Sequence, residues 1–143
     1  VIMHTPLQKR EEKLCREKAE EALEFVGLNH VAHRLAGDIT QEERKRVAFA
    51  LALATEPDLL LLDEPAGGVN PEETVGLADL IRKLVDHGKT VCLIEHKMDM
   101  IMSLADKILV LSYGEKIAEG TPAEVKANPA VIDAYLGSDH AEI

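Results

Sequence analysis

Two carboxylates, Asp63 and Glu64, stand side by side at the end of the apolar run Leu59-Leu60-Leu61-Leu62. A histidine, His96, follows a second apolar run, Thr90-Val91-Cys92-Leu93-Ile94, with Glu95 between them. After Glu64 comes the glycine-bearing turn Pro65-Ala66-Gly67-Gly68-Val69-Asn70. Adjacent acids at a strand end can divide two tasks: one holds a metal ion and the other handles a water. An edge that combines acids, a histidine and glycines suits phosphate chemistry with magnesium. A plainer alternative is a buried strand that runs into an acidic turn with no chemistry. Two features favour chemistry: the spacing from Asp63 to His96 is that of one βαβ unit, and the glycine turn lies on the same sheet edge.

The elements that must position these residues are legible as an α/β pattern. Neither apolar run alternates, so both predict strands buried on both faces of a parallel sheet covered by helices. Asn70-Pro71-Glu72-Glu73 predicts a helix start, with Leu77, Leu80, Ile81 and Leu84 as the buried stripe and Gly88 as the stop. Strand, crossover helix and strand make a right-handed βαβ unit whose two strands end on one edge, so Asp63-Glu64 and His96 are expected to face one crevice. Upstream, residues 1–8 read as irregular with Pro6 as a breaker. A helix runs from about Lys9 to Gly27, its charged residues forming a solvated face. A loop over 29–38 leads to Thr40-Gln41-Glu42-Glu43, a capping box that opens a helix whose Val47–Ala54 stretch, apolar all round, is expected to be buried. Downstream come a short helix near 97–105, a strand Lys107–Leu111, a turn at Tyr113-Gly114-Glu115 and a hairpin partner Lys116–Glu119. Thr121-Pro122 and Asn128-Pro129 start two short helices, and 137–143 reads as a frayed tail.

Composition bounds the partners. The chain has 143 residues, a formal net charge of −10 and no Trp, so its core is aliphatic. That charge argues against nucleic acid and against charge-driven binding to an anionic membrane. Cys15 sits in a predicted helix and Cys92 in a predicted buried strand; a reducing compartment is the simpler reading. No apolar run approaches a membrane span. The chain begins at Val1 without Met, and a fragment is expected. His30 and His33 lack a third ligand in sequence and read as surface histidines. Met98, Met100 and Met102 read as core filler, with the excess facing a partner.

Taken jointly, in order and spacing, the motifs resemble a known family. Leu59–Pro65 resembles the Walker B strand of ATP-binding-cassette (ABC) ATPases, and Ala66–Pro71 their D-loop. Glu95-His96 resembles their switch histidine, and Arg46–Leu53 the helix after their signature motif. Gly120–Val125, Asn128-Pro129 and Asp133–Gly137 resemble the C-terminal extension of the ATP-binding subunits of branched-chain amino-acid importers. The resemblance runs from about Glu17 onward. It implies the later half of a P-loop ATPase core, α/β with a mainly parallel sheet, plus part of a helical subdomain. The implied division is 1–57 helical subdomain, 58–120 ATPase core and 121–143 extension. It implies ATP and Mg²⁺ as cofactors. Asp63 would hold Mg²⁺ through water, and Glu64 would polarise the attacking water. His96 would touch the γ-phosphate. Gly67, Gly68 and Asn70 would cross to a second ATPase subunit, and Thr40 would offer a hydroxyl to that subunit's nucleotide. The implied partners are that second ATPase, with a heterodimer favoured, and transmembrane permease subunits. The implied location is the cytoplasmic face of the cell membrane.

Two departures qualify this. No Gly-x-x-x-x-Gly-Lys-Ser/Thr phosphate loop occurs in the sequence, so the chain alone is expected to be inactive. The family's Leu-Ser-Gly-Gly-Gln is replaced by Ile39-Thr40-Gln41-Glu42-Glu43, whose acids already satisfy the helix dipole. A plain capping box and a weakened signature both stay open, and the partner's signature is expected to carry more of the turnover. Two other functions also stay open: a non-enzymatic interaction module, and a soluble ABC ATPase acting in DNA repair or on ribosomes.

Overall fold

A lone strand makes none of its ladder hydrogen bonds, and Leu59–Leu62 finds its partner one helix further along the chain. The computed structural model describes residues 5–136. The chain divides into two compact units, Val1–Ile94 and Glu95–Ile143. The first holds α1 (Pro6–Phe25), α2 (Gln41–Leu53), β1 (Leu59–Asp63), α3 (Pro71–Asp86) and β2 (Thr90–Ile94), with a short 3₁₀ turn at Asn29–Val31. β1 and β2 pair in parallel across the α3 crossover, with Leu60 opposite Val91, Leu62 opposite Leu93 and Asp63 opposite Ile94. The βαβ unit expected from the sequence is present.

Helix ends follow local chemistry. Asn70 and Glu73 exchange side-chain and backbone hydrogen bonds at the start of α3, with Pro71 at its first position. Gly27 and Gly88, at φ 79° and 80°, close α1 and α3. In both cases two amides fold back onto the last turn: Gly27 N–H to Glu24 and Leu28 N–H to Leu23, and Gly88 N–H to Val85 and Lys89 N–H to Leu84. Pro6 is no breaker. It opens α1 behind Thr5, whose hydroxyl accepts the Gln8 amide. Proline is tolerated there because its missing N–H would have no partner within the helix.

Burial departs from expectation in the strands and in α2. Leu60 is buried, but Leu59 and Leu61 are 52% and 74% exposed. Cys92 pairs with Leu61 on the same face and is exposed as well. In α2 only Phe49 and Ala50 are buried, and Leu51 is 73% exposed. An apolar run records what a surface would accept, not whether a layer covers it. Among the described residues α3 packs against β2 and α1 packs against α2. α3 matches expectation, with Leu77, Leu80, Ile81 and Leu84 buried.

The second unit holds α4 (Met98–Leu104), β3 (Ile108–Ser112), β4 (Glu115–Gly120), α5 (Pro122–Lys126) and α6 (Pro129–Val131), which runs on into a π turn at Ile132–Leu136. β3 and β4 form an antiparallel hairpin with an irregularity between Val110 and Leu111. Its turn has Tyr113 and Gly114 at φ 49° and 83°, the mirror-image geometry that suits strand twist. Ile108, Val110, Ala118, Val125 and Val131 make its core, flanked by Ile101 and Met102. Met100 is buried, in line with the filler reading. The expected tail over 137–143 lies outside the described residues.

Glu119 on β4 contacts both Lys107 and Lys116. Hydrogen bonds from Lys107 and then Lys116 hold its carboxyl at about 2, well below the ordinary 4.5. A depressed carboxyl stabilises the fold above its unfolded value and loses that contribution as the folded form protonates. Stability of the hairpin unit should therefore fall as pH drops from about 4.5 to about 2. Thermal melts across that window should show a shallower slope for Glu119→Gln than for the wild type; equal slopes would refute the assignment.

Candidate functional site

The candidate residues of the first unit converge on the end of β1 and the start of α2. Asp63 closes β1 opposite Ile94, and the Glu64 amide donates to the Ile94 carbonyl at 2.9 Å. Asp63 and Glu64 are both exposed. Glu64 stands at φ 44°, a left-handed conformation that costs a non-glycine residue about 1–2 kcal/mol. That turn redirects the chain sharply out of the strand, where Gly67 N–H closes back onto the Glu64 carbonyl at 3.0 Å. Ala66 and Val69 anchor the loop by burial. Gly67 packs closely on the turn, and a Cβ there would lie 3.2 Å from the Glu64 carbonyl oxygen. Gly68 is needed for its φ of 72°. Asn70 ends the loop, and its side-chain oxygen is engaged as the cap of α3.

Thr40 caps α2. Its hydroxyl accepts the Glu43 amide at 3.1 Å, and its own amide donates to the Glu43 carboxylate at 2.7 Å. That Thr40 amide, assisted by the Thr40 hydroxyl and by His30, holds the Glu43 carboxyl below its ordinary range. Glu42 is taken up by Arg46 at 2.7 Å, and Arg46 also donates to the Val26 carbonyl. The first turn of α2 is thus a completed capping box with two acids in it. His30 and His33 are exposed, as expected of surface histidines.

The structure also supplies links that sequence reading missed. Lys45 donates to the Pro65 carbonyl at 2.7 Å, and the Gln41 side chain lies against Gly68. Thr40 and the Pro65–Asn70 loop therefore belong to one neighbourhood. In sequence, Gln41 and Lys45 carry no signal beyond their shared helix face at i and i+4. Glu95 and His96 open the second unit. There the His96 amide donates to the Glu95 carboxylate at 3.2 Å, and the His96 side chain is 64% exposed.

Among the described residues no three His, Cys, Asp or Glu side chains gather as a metal cage. An exposed carboxylate such as Asp63 at a strand end suits a hard ion that keeps most of its water, as Mg²⁺ does. A cleft of about 310 Å³ in the first unit is lined by Lys18, Phe25, Leu84 and His87, and by none of the residues considered for nucleotide. No helix among the described residues is long and apolar enough to cross a membrane.

Comparison with known proteins supplies the context. The ABC transporter family model matches residues 3–67, and a model described as branched-chain amino acid ATP-binding cassette transporter matches 115–141. The high-affinity branched-chain amino acid transport ATP-binding protein BraF of Pseudomonas aeruginosa is 44% identical over 95% of this chain. The corresponding LivG protein of Escherichia coli K12 is 39% identical over the same share. The chain spans 54% of the length of each of these two relatives. Among solved structures, an ATP-binding cassette of an ABC transporter in its ADP conformation superposes with a TM-score of 0.80 at 33% identity, over 87% of this chain and 50% of that one. A nucleotide-free cassette superposes at 0.78 with 30% identity, over 92% of this chain and 56% of its own.

Proposed function

Because this chain belongs to the ATP-binding family of ABC transporters, we propose that it is the later portion of the ATP-hydrolysing subunit of an importer, with branched-chain amino acids as the cargo. The observation that carries the reading is the parallel pairing that sets Asp63 opposite Ile94, which brings the acid pair to the strand end from which Glu95-His96 departs in sequence. The cargo assignment leans on the match over 115–141 and on the names of the relatives. The functional division follows the motifs, with 1–57 as helical subdomain, 58–120 as ATPase core and 121–143 as extension.

In this reading Asp63 is the residue that would hold Mg²⁺, which would supply positive charge against the phosphates. Glu64 accepts a hydrogen bond from the attacking water and takes up its proton. His96 donates to a γ-phosphate oxygen and so distinguishes ATP from ADP. Gly67, Gly68 and Asn70 cross to a second ATPase subunit. Thr40 offers its hydroxyl to the nucleotide of that subunit, weakly, because Glu42 and Glu43 place negative charge at the same helix end. That asymmetry favours two different ATPases in the pair. The subunit works on the cytoplasmic face of the membrane, docked on permease subunits. This chain carries no phosphate-loop motif, so by itself it hydrolyses nothing.

Affinity purification of the complete subunit from membranes tests the reading. The expected eluate contains a permease and a second ATPase and hydrolyses ATP, whereas the 143-residue chain gives only background phosphate release. Hydrolysis without any permease would point instead to a soluble ABC ATPase. A complete subunit that hydrolyses nothing would point to an interaction module.

A further inference from the structure

Two side chains one turn apart on α2 reach the loop that follows Glu64. The Lys45 ammonium donates to the Pro65 carbonyl at 2.7 Å in a partly buried setting. The Gln41 amide nitrogen lies 2.9 Å from the point a Cβ on Gly68 would occupy. Lysine heads ordinarily remain in water, and fixing one costs side-chain entropy. Here the cost is met by a charge-assisted bond to a backbone carbonyl. The carbonyl chosen belongs to the residue directly after Glu64, whose own backbone is held at φ 44° and tied to Ile94. The Asp63–Glu64 peptide is thus held from β2, and the Pro65–Ala66 peptide from α2. The backbone on either side of Glu64 is therefore anchored to two different elements, β2 and α2.

We propose that Lys45 is a positioning residue for hydrolysis: through the Pro65 carbonyl it ties the start of α2 to the Glu64 turn, so that displacement of this helix end realigns the Glu64 carboxylate of the same subunit. The proposal rests on the hydrolytic role of Glu64 given above. It makes the capped end of α2, facing the partner's nucleotide, a lever on this subunit's own water-activating acid.

The test uses the complete subunit in its assembled transporter, with Lys45→Met, Lys45→Arg and Glu64→Gln measured side by side. Lys45→Met should lower kcat about tenfold, the scale of a misaligned catalytic group. KM for ATP should stay within about twofold, because no nucleotide contact is removed. Lys45→Arg, which keeps a cationic donor, should restore most of the turnover. A Lys45→Met enzyme with wild-type kcat overturns the proposal, as does a parallel rise in KM or an equal loss in Lys45→Arg. If Glu64→Gln abolishes turnover and Lys45→Met keeps the wild-type kcat, only the Lys45 assignment falls. If Glu64→Gln keeps turnover, the hydrolytic reading falls and takes this one with it. Should Lys45→Met assemble poorly, amide exchange in the 143-residue chain decides. Exchange at Gly67, whose N–H bonds to Glu64, should quicken while the buried α3 amides near Leu80 hold; unchanged Gly67 exchange overturns the proposal.

Discussion

Glu64→Gln in the complete subunit is expected to cut kcat for ATP hydrolysis at least about 100-fold while leaving nucleotide binding in place. Glutamine keeps the shape of glutamate and can still hydrogen-bond a water, but it cannot take up a proton. The substitution is clean for structural reasons. Glu64 is exposed, and its position in the turn is held by backbone bonds, from its amide to Ile94 and from Gly67 to its carbonyl. Glutamine pays the same penalty at φ 44° as glutamate does, so the turn itself is unchanged. Single-turnover phosphate release and nucleotide-binding titrations separate chemistry from affinity. Hydrolysis within a few-fold of wild type would remove Glu64 from its role. Thr40→Ala gives the companion measurement. It removes a helix cap worth about 1 kcal/mol and a hydroxyl from a helix end already rich in acid, so its loss of turnover should be clearly smaller. An equal loss would mean that this signature carries a full share of catalysis.

Leu77→Ala should destabilise the fold by about 3 kcal/mol, within the usual range for a buried leucine cut to alanine. Leu77 is completely buried on the stripe of α3 with Leu80, Ile81 and Leu84, in the crossover helix of the βαβ unit. Truncation leaves a void that neighbours can fill only by moving the helix or the strands it joins. Val75→Ala on the same helix is the control. Val75 is 61% exposed, and its truncation should shift stability by less than about 0.5 kcal/mol. Chemical denaturation of the chain followed by circular dichroism reads both. Similar midpoints for the two variants would show that the stripe does not support the fold.

What could be read in the residues was whatever local chemistry dictates. Thr40 with Glu43, Asn70 with Glu73 and Thr121 with Glu124 all form the reciprocal caps their spacing predicts, because each bond closes within one turn. Gly27 and Gly88 end their helices for the same reason, and the Tyr113-Gly114 turn sets the β3–β4 hairpin. The differences in burial share one cause. Leu59, Leu61, Cys92 and Leu51 were expected inside because their neighbours in sequence are apolar, yet burial depends on what packs from elsewhere. Pro6 was misread because proline breaks a helix interior but begins a helix comfortably.

For the candidate site the division is similar. Asp63, Glu64, Gly67, Gly68, Asn70 and His96 stood out by residue type and order alone. A strand end, a glycine turn and a capped helix each need particular side chains at short spacing. The ties from Lys45 to Pro65, from Gln41 to Gly68 and from Arg46 to Val26 are decided by tertiary structure, since each bridges some twenty residues or more of chain that had to fold before the partners met. Short-range bonds reward the sequence that makes them at once, and so they are written in it. Long-range ones become favourable only after the intervening chain has lost its freedom, and so only the folded unit reveals them.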